Sequence, residues 1–272
     1  IEYLIQNGFA EGNADEILEI VDNKVFRYLN EENITSIELA NGITGYLFYL
    51  ISRIKNQTNN NSNNYEINKR LLIQIVNKID EIATPQFPMI VKDMNFDLLW
   101  RFPILIIGLF KAYQLNLYNE KIRCTLKQWL PNFEVYLPSL NINKLYLAIV
   151  YTQLNKILRD KQIEKQVHIL LFATDFDELL TEVDGHSLNI RTGWMGFTSI
   201  LKLAEIIIPN NTPNHSLIEE ACLKIQNKYE GKTIEAMNNT DIQKSVMLNF
   251  SSGIVGLGLF EIVWLNKMLK SV

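Results

Sequence analysis

The sequence predicts an all-α protein: a single domain over residues 1–272, folded as an α/α toroid of about five helical hairpins, with apolar inner helices ringed by amphipathic outer ones. Three observations lead there. Amphipathic and almost wholly apolar segments alternate along the chain, strand-like stretches are few, and a small polar residue followed by Gly-x-x-Gly opens three of the apolar runs. Those openings are Asn41-Gly42-Ile43-Thr44-Gly45, Thr192-Gly193-Trp194-Met195-Gly196 and Ser252-Gly253-Ile254-Val255-Gly256, and they hold half of the twelve glycines. Glycine inside a helix costs about 1 kcal/mol against alanine, so glycine pairs at successive helix starts predict a close backbone approach or a special turn. Gly42, Phe102, Leu145, Gly193 and Gly253 recur at intervals of about 40 to 60 residues, the period of a helical hairpin with its loops. The apolar runs are too evenly apolar for an open solenoid with one exposed face, which favours a ring within a ring.

Taken in order, residues 1–12 read as a short helix closed by Gly8 and Gly12. Asp15 to Asn30 places Ile17, Leu18, Ile20, Val21, Val25, Phe26 and Leu29 at helical spacing, an amphipathic outer helix. Tyr46 to Ile54, after the first glycine motif, is apolar almost all round and so buried on most sides. Asn56 to Asn64 reads as a mobile polar loop. Ile67 to Ala83 is amphipathic, and Thr84-Pro85 through Pro88 is expected to break it. Phe96 to Leu117 is apolar, with Pro103 tolerable near its start. Glu120 to Leu130 is amphipathic, Pro131 to Pro138 a connection, Lys144 to Leu158 apolar, and Lys161 to Phe172 an outer segment. The acidic run Asp175 to Asp184 leads to the central motif and the helix Phe197 to Ile208. Ser216 to Tyr229 is amphipathic, with Pro213 and Asn214 as its start signal, and Ser252 to Leu269 is the last apolar helix.

Composition narrows the function. Hydrophobic residues make up 47% of the chain and charged ones 21%, enough for a sizeable core. A net charge of −4 argues against a nucleic-acid partner, which needs a basic face. Every long apolar run is interrupted by charge, Phe102 to Phe110 by Lys111 and Phe250 to Phe260 by Glu261, which argues against a membrane span. Two cysteines, Cys124 and Cys222, about a hundred residues apart make no disulfide framework, and a reduced cytoplasm fits best. Each is expected to be a small buried thiol on an outer helix. The chain begins at Ile1 and reads as a processed or trimmed product.

The phrases Asn41-Gly42-Ile43-Thr44-Gly45-Tyr46-Leu47-Phe48-Tyr49-Leu50 and Ser252-Gly253-Ile254-Val255-Gly256-Leu257-Gly258-Leu259-Phe260 resemble the Gly-x-x-Gly repeats of the lanthionine synthetase C family, and Arg191-Thr192-Gly193-Trp194-Met195-Gly196 is similar to one of its later repeats. The resemblance implies an α/α toroid. It also implies a zinc ion, held by two cysteines and a histidine in Trp-Cys-x-Gly and Cys-His-Gly motifs, that activates a cysteine thiol of a precursor peptide for addition to dehydroalanine or dehydrobutyrine. This chain departs from those motifs. Met195 follows Trp194, Arg191 and Thr192 stand where the Cys-His pair would be, and Ser251 and Ser252 precede the glycine of the last repeat. The expectation is therefore no metal, no cofactor and no zinc-dependent cyclisation, with a precursor peptide or a peptide-modification enzyme as partner.

If the inner helices all start at one rim, their first residues converge there: Asn41, Asp97, Trp100, Arg101, Asn143, His186, Arg191, Thr192, Trp194, Ser251 and Ser252. Helix N-termini offer free amide donors and partial positive charge, so this mouth suits carbonyl or anionic groups of a peptide. His186, with Asp184 to orient it, is the candidate general acid or base; otherwise it is a solvated loop residue. Arg191 reads as a carboxylate clamp or as an ion-pair partner of the acidic run. Trp100 and Trp194 read as ligand anchors or as core. Two alternatives to peptide binding stay open. One is a peptide-modifying enzyme that uses the cavity without zinc. The other is a glycosidase-like toroid drawing two carboxylates from Asp175, Asp177, Glu178, Glu182 and Asp184, a cluster that a capped helix start after Thr174 also explains.

Overall fold

The amphipathic and apolar segments fold as packed helices. The computed structural model describes residues 11, 15–31, 34–39, 42–56, 63–92, 102–132, 137–182, 194–212 and 214–238. Helix occupies 82% of these residues and no strand occurs among them, the all-α class that the periodicity predicts. None of the described helices is long and apolar enough to cross a membrane. The helices expected over 1–12 and Ser252 to Leu269 lie outside the described residues, as does 57–62 of the polar loop. Contacts divide the chain into two units, residues 1–134 and 135–272.

In the first unit α1 (Asp15–Glu31), α2 (Ile43–Asn56), α3 (Asn63–Lys92), α4 (Phe102–Tyr113) and α5 (Asn119–Trp129) follow in order, closed by a 3-10 turn at Leu130–Asn132. The apolar pair α2 and α4 pack together, α3 lies against both, and α1 and α5 pack on α3. Apolar helices thus form one layer and amphipathic helices the other. Ile43, Leu47, Leu50, Ile51 and Ile54 are the buried stripe of α2, and Leu105, Ile106, Leu109 and Ala112 that of α4. Where the two meet, a Cβ on Gly108 would stand 2.8 Å from Leu47 Cδ2, so the Leu47 side chain packs directly on the glycine. Helix α1 divides its apolar positions: Val25 is buried, whereas Ile17, Ile20 and Phe26 are exposed. The apolar helix α2 also carries a buried charge, Arg53, whose guanidinium pairs with Asp22 of α1 (Nη2 to Oδ2, 2.9 Å). Tyr49 Oη donates to the same carboxylate at 2.7 Å.

Helix α3 corrects one expectation. It runs through Pro85 and Pro88 to Lys92 instead of breaking at Thr84. A proline inside a helix costs about 3 kcal/mol, because Pro85 has no N–H for the carbonyl of Glu81. Tertiary packing outweighs that cost. Phe87 is wholly buried, stacks on Trp129 of α5 at 4.7 Å and meets Phe102 of α4 edge-on at 4.7 Å. Burying an aromatic side chain contributes about 1.5–3 kcal/mol, and each ring pair about 0.5–1.5 more. The polar side of the contact is a relay: Trp129 Nε1 donates to Thr84 Oγ1 (2.9 Å), Thr84 donates to Asp80 Oδ1 (3.1 Å), and Thr125 donates to the same oxygen (2.8 Å). Lys121 closes it by pairing with Asp80 Oδ2.

The second unit contains α6 (Asn141–Leu158), α7 (Lys161–Phe172), the single turn α8 (Phe176–Leu179), α9 (Trp194–Ile207) and α10 (His215–Asn238). Helix α6 is its centre, packed by α7 and α9, with α8 against its side, while α10 packs on α9. Leu145, Leu147, Ala148, Ile149, Val150 and Leu154 are all essentially inaccessible, so α6 is buried round its circumference, as its uniform apolarity predicts. The hairpin to α7 turns at Arg159, whose φ is 52°, and Asp160 caps α7 by accepting from the amides of Gln162 and Ile163. Asn214, in the left-handed region at φ 66°, precedes α10 and donates from Nδ2 to the Leu171 carbonyl at 3.3 Å. An asparagine tolerates that conformation better than most residues.

Burial raises the pKa of Asp80, but hydrogen bonds from Lys121, Thr125 and Thr84 and the Lys121 charge outweigh it and hold the carboxyl below its ordinary value. A depressed carboxylate stabilises the fold fully above its unfolded pKa, about 3.9, and loses that contribution as pH falls through the folded value. Urea unfolding should therefore show Asp80→Asn less stable than wild type by about 1 kcal/mol at pH 7, with the gap closing below about pH 4.

Candidate functional site

The first glycine motif shows what paired glycines do at a helix start. Residues 34–39 run back across the first turn of α2. Ser36 O accepts from Ile43 N at 3.0 Å, and Ile37 O accepts from the Thr44 hydroxyl, which is fully buried. A Cβ on Gly42 would lie 2.4 Å from Glu38 N and 2.6 Å from Ser36 O; on Gly45 it would lie 2.3 Å from Leu39 O. These neighbours are backbone, so only hydrogen fits. The glycines allow a loop to cross the helix end, and the loop's own carbonyls engage the donors exposed there.

The start of α6 is filled by a different device. Glu182, downstream of α8, places Oε1 against Asn141 N (2.7 Å) and Asn141 Nδ2 (2.9 Å), and Oε2 against Ile142 N (3.0 Å). Asn141 Oδ1 accepts in turn from Asp175 N (3.0 Å) and Lys144 Nζ (2.8 Å). An anion at a helix N-terminus is what the dipole and the free amides favour, and here the anion belongs to the chain. No local spacing signals this pairing, because cap and helix are some forty residues apart in sequence. Asp175 has a cap role too, accepting at 3.0 Å from the amides of both Asp177 and Glu178 to start α8, one residue beyond Thr174.

Of the residues expected at the rim, Asn41, Asp97, Trp100, Arg101, Asp184, His186, Arg191, Thr192, Ser251 and Ser252 lie outside the described residues. Trp194 is the first residue of α9, and Asn143 is half-buried in the first turn of α6. The structure describes two of the helix starts, α2 and α6, each within its own unit: at α2 the loop accepts from Ile43 N, and at α6 Glu182 accepts from the amides of Asn141 and Ile142.

Elsewhere the polar groups sort by environment. Cys222 is buried as expected, but Cys124 is exposed on α5, a correction to its reading as a buried thiol: it falls on the solvent side of an amphipathic helix whose inner side is Ile122, Thr125, Leu126 and Trp129. Burial pushes the Cys222 thiol up to about 12, with Glu205 adding to the effect and Lys202 opposing it, so it is an un-ionised donor to Glu205 Oε2 and a poor nucleophile. Burial likewise raises the Tyr146 and Tyr151 phenols. His215, at the start of α10, lies 3.5 Å from Glu219 through Nδ1, and its buried Nε2 has no hydrogen-bond partner. Among the described residues no group of three His, Cys, Asp or Glu side chains is placed to hold a metal ion. Open clefts among the described residues include two. One, of about 330 Å³, collects Thr152, Lys156, Glu164 and His168 beside the turn at 209–212 in the second unit; the other, of about 300 Å³, lies between α1 and α3.

No protein-family model matches the sequence, and comparison with curated proteins and with solved structures gives no match.

The geometry at Gly42 and Gly45 gives a graded expectation. Either glycine replaced by alanine should destabilise the protein by about 1–3 kcal/mol, the usual range for a clash in a packed site. A thermal melt should rank both variants well below an alanine substituted at exposed Lys24, which leaves stability within about 0.5 kcal/mol.

Proposed function

We propose that this chain is a peptide- or partner-binding protein of the lanthionine synthetase C-like kind, acting in peptide modification without zinc-dependent thioether cyclisation. The observation that carries the reading is the first glycine motif. The phrase that resembles the family's repeat is built as a loop crossing the start of an apolar helix, in a unit where apolar and amphipathic helices form separate layers. The second unit repeats the plan with α6 and α9 as its apolar pair. Hairpins of this kind are what an α/α toroid is assembled from, and in such a ring the starts of the apolar helices share one rim.

With Ile43 N of α2 and the Asn141 and Ile142 amides of α6 engaged by the chain, the mouth would recognise a peptide through side chains. Arg191 would clamp a carboxylate or carbonyl group, Trp194 and Trp100 would anchor apolar residues, and Asn41, Asp97, Arg101, Thr192, Ser251 and Ser252 would supply directional hydrogen bonds. A non-zinc enzyme would instead use His186 with Asp184 as acid or base. A glycosidase would need two free carboxylates, and Asp175 and Glu182 are already occupied as caps.

The test mixes the protein with a Ser-, Thr- and Cys-containing precursor peptide in unmodified and dehydrated forms, and follows fluorescence anisotropy, thioether formation and zinc content. Binding without thioether formation is expected, weakened roughly tenfold or more in Arg191→Ala/Trp194→Ala with an unchanged melting curve. About one zinc per chain together with thioether product would overturn the reading, and turnover lost in His186→Ala would replace it with the enzymatic one.

A further inference from the structure

In the first unit Asn68 of α3 is 1% exposed, and neither Oδ1 nor Nδ2 has a hydrogen-bond partner. A buried amide left unpaired at both ends is costly, and apolar neighbours show what the position would otherwise hold: Leu71, Leu72 and Ile75 on the same helix are buried without such a cost. Asn68 lines the cleft of about 300 Å³ between α1 and the first turns of α3, with Glu19, Asp22, Phe26 and Ile67 among its other walls. Asp22 is already satisfied there, its charge balanced by Arg53 and its oxygens taken by Arg53 and Tyr49. Glu19 is exposed and has no ion pair among the described residues. Phe26 and Ile67, 51% and 40% exposed, offer an aromatic face and an aliphatic edge.

The cleft therefore combines one uncompensated negative charge, an amide wanting both a donor and an acceptor, and two exposed apolar surfaces in a volume at the small end of ligand pockets. We propose that it binds an aliphatic guanidinium or ammonium group. The cation would pair with Glu19 and lie over Phe26, one of its N–H groups would donate to Asn68 Oδ1, its stem would cover Ile67, and Asn68 Nδ2 would donate to a carbonyl or hydroxyl oxygen beside it. This inference is independent of the peptide-binding reading. The cation has two possible sources, a free amine or guanidine and a basic side chain of another chain.

Isothermal titration of the full protein distinguishes them with butylguanidine and with the peptide acetyl-Gly-Arg-Gly-amide, each beside its uncharged counterpart, butylurea and the citrulline peptide. Binding of a charged probe at least roughly tenfold tighter than its neutral isostere is expected. Glu19→Gln should weaken it roughly tenfold with an unchanged melting temperature. Asn68→Leu should weaken it similarly while raising the melting temperature, because the unpaired amide is gone; a purely structural asparagine would not separate the two readouts. Binding by both probes assigns a free small molecule as sufficient, and binding by the peptide alone assigns a protein side chain. Absence of binding by either probe at millimolar concentration, or equal binding by wild type and Glu19→Gln, would overturn the proposal, and the second arm holds even if Asn68→Leu fails to fold.

Discussion

Between the loop at 34–39 and the first turn of α2 there is room for hydrogen and nothing larger. The first unit depends on that contact. Because Gly42 and Gly45 let the loop lie on the helix, Ser36 and Ile37 can reach Ile43 and Thr44, and α2 enters the core with its first amide and the Thr44 hydroxyl satisfied by the loop. The same crossing brings the chain from α1 into α2, and the two helices are then joined by the buried pair of Asp22 and Arg53. Removing one partner of such a pair leaves the other uncompensated, so α1 and α2 are fixed to each other by charge as well as by the stacked rings of Tyr28 and Tyr46.

The second unit meets the same requirement by other means. Helix α6 is buried along most of its length, and its first two residues, Asn141 and Ile142, are themselves buried, so their amides need partners from the chain. A carboxylate from beyond α8 meets them, and Asn141 links that carboxylate to the backbone of Asp175. One side chain thus ties the start of α6 to the start of α8. In both units acceptors of the chain's own meet donors at a helix start, loop carbonyls at α2 and a carboxylate at α6, and a ligand would have to compete with a covalently tethered group to reach those donors.

Much of this was legible in the sequence, and the reason is periodicity. Helices α1, α6, α7 and α9 lie within a few residues of the stretches whose apolar spacing marked them, since a 3.6-residue pattern is a local property. The glycine pairs also predicted a close backbone approach correctly at Gly42. What escaped was set by contacts distant in sequence. Pro85 is a local stop signal overruled by Phe87 against Trp129 and Phe102, and no local pattern announces that those rings meet. Arg53 and Asn68 sit in apolar stripes where the pattern leads one to expect aliphatic residues. Glu182 belonged to an acidic run whose charge suggested a solvated face or catalysis, whereas its hydrogen bonds go to a helix start on the far side of a hairpin. The rim residues named from the sequence rest on the register of the repeats, and the described helix starts at α2 and α6 bear on what such a rim can offer rather than on those side chains themselves.

The contrast between satisfied and orphaned polar groups gives the last step. This chain supplies partners for Thr84, Thr125, Asp80 and the Trp129 indole in one relay, and for the leading amides of α2 and α6. Buried atoms left without partners are therefore exceptions against a strict background. Apart from Asn68, several concentrate on the apolar pair of the second unit: Tyr146 Oη and Gln153 Oε1 on α6, and Thr198 Oγ1 on α9. Tyr146 and Gln153 are seven residues apart, so they share a face of a helix that is otherwise apolar. Asn68 instead lies on the amphipathic helix α3 and lines the cleft that Glu19 also borders. The Asn68 amide thus borders an open cleft, whereas the unpaired atoms of α6 and α9 lie within the packed helix pair of the second unit.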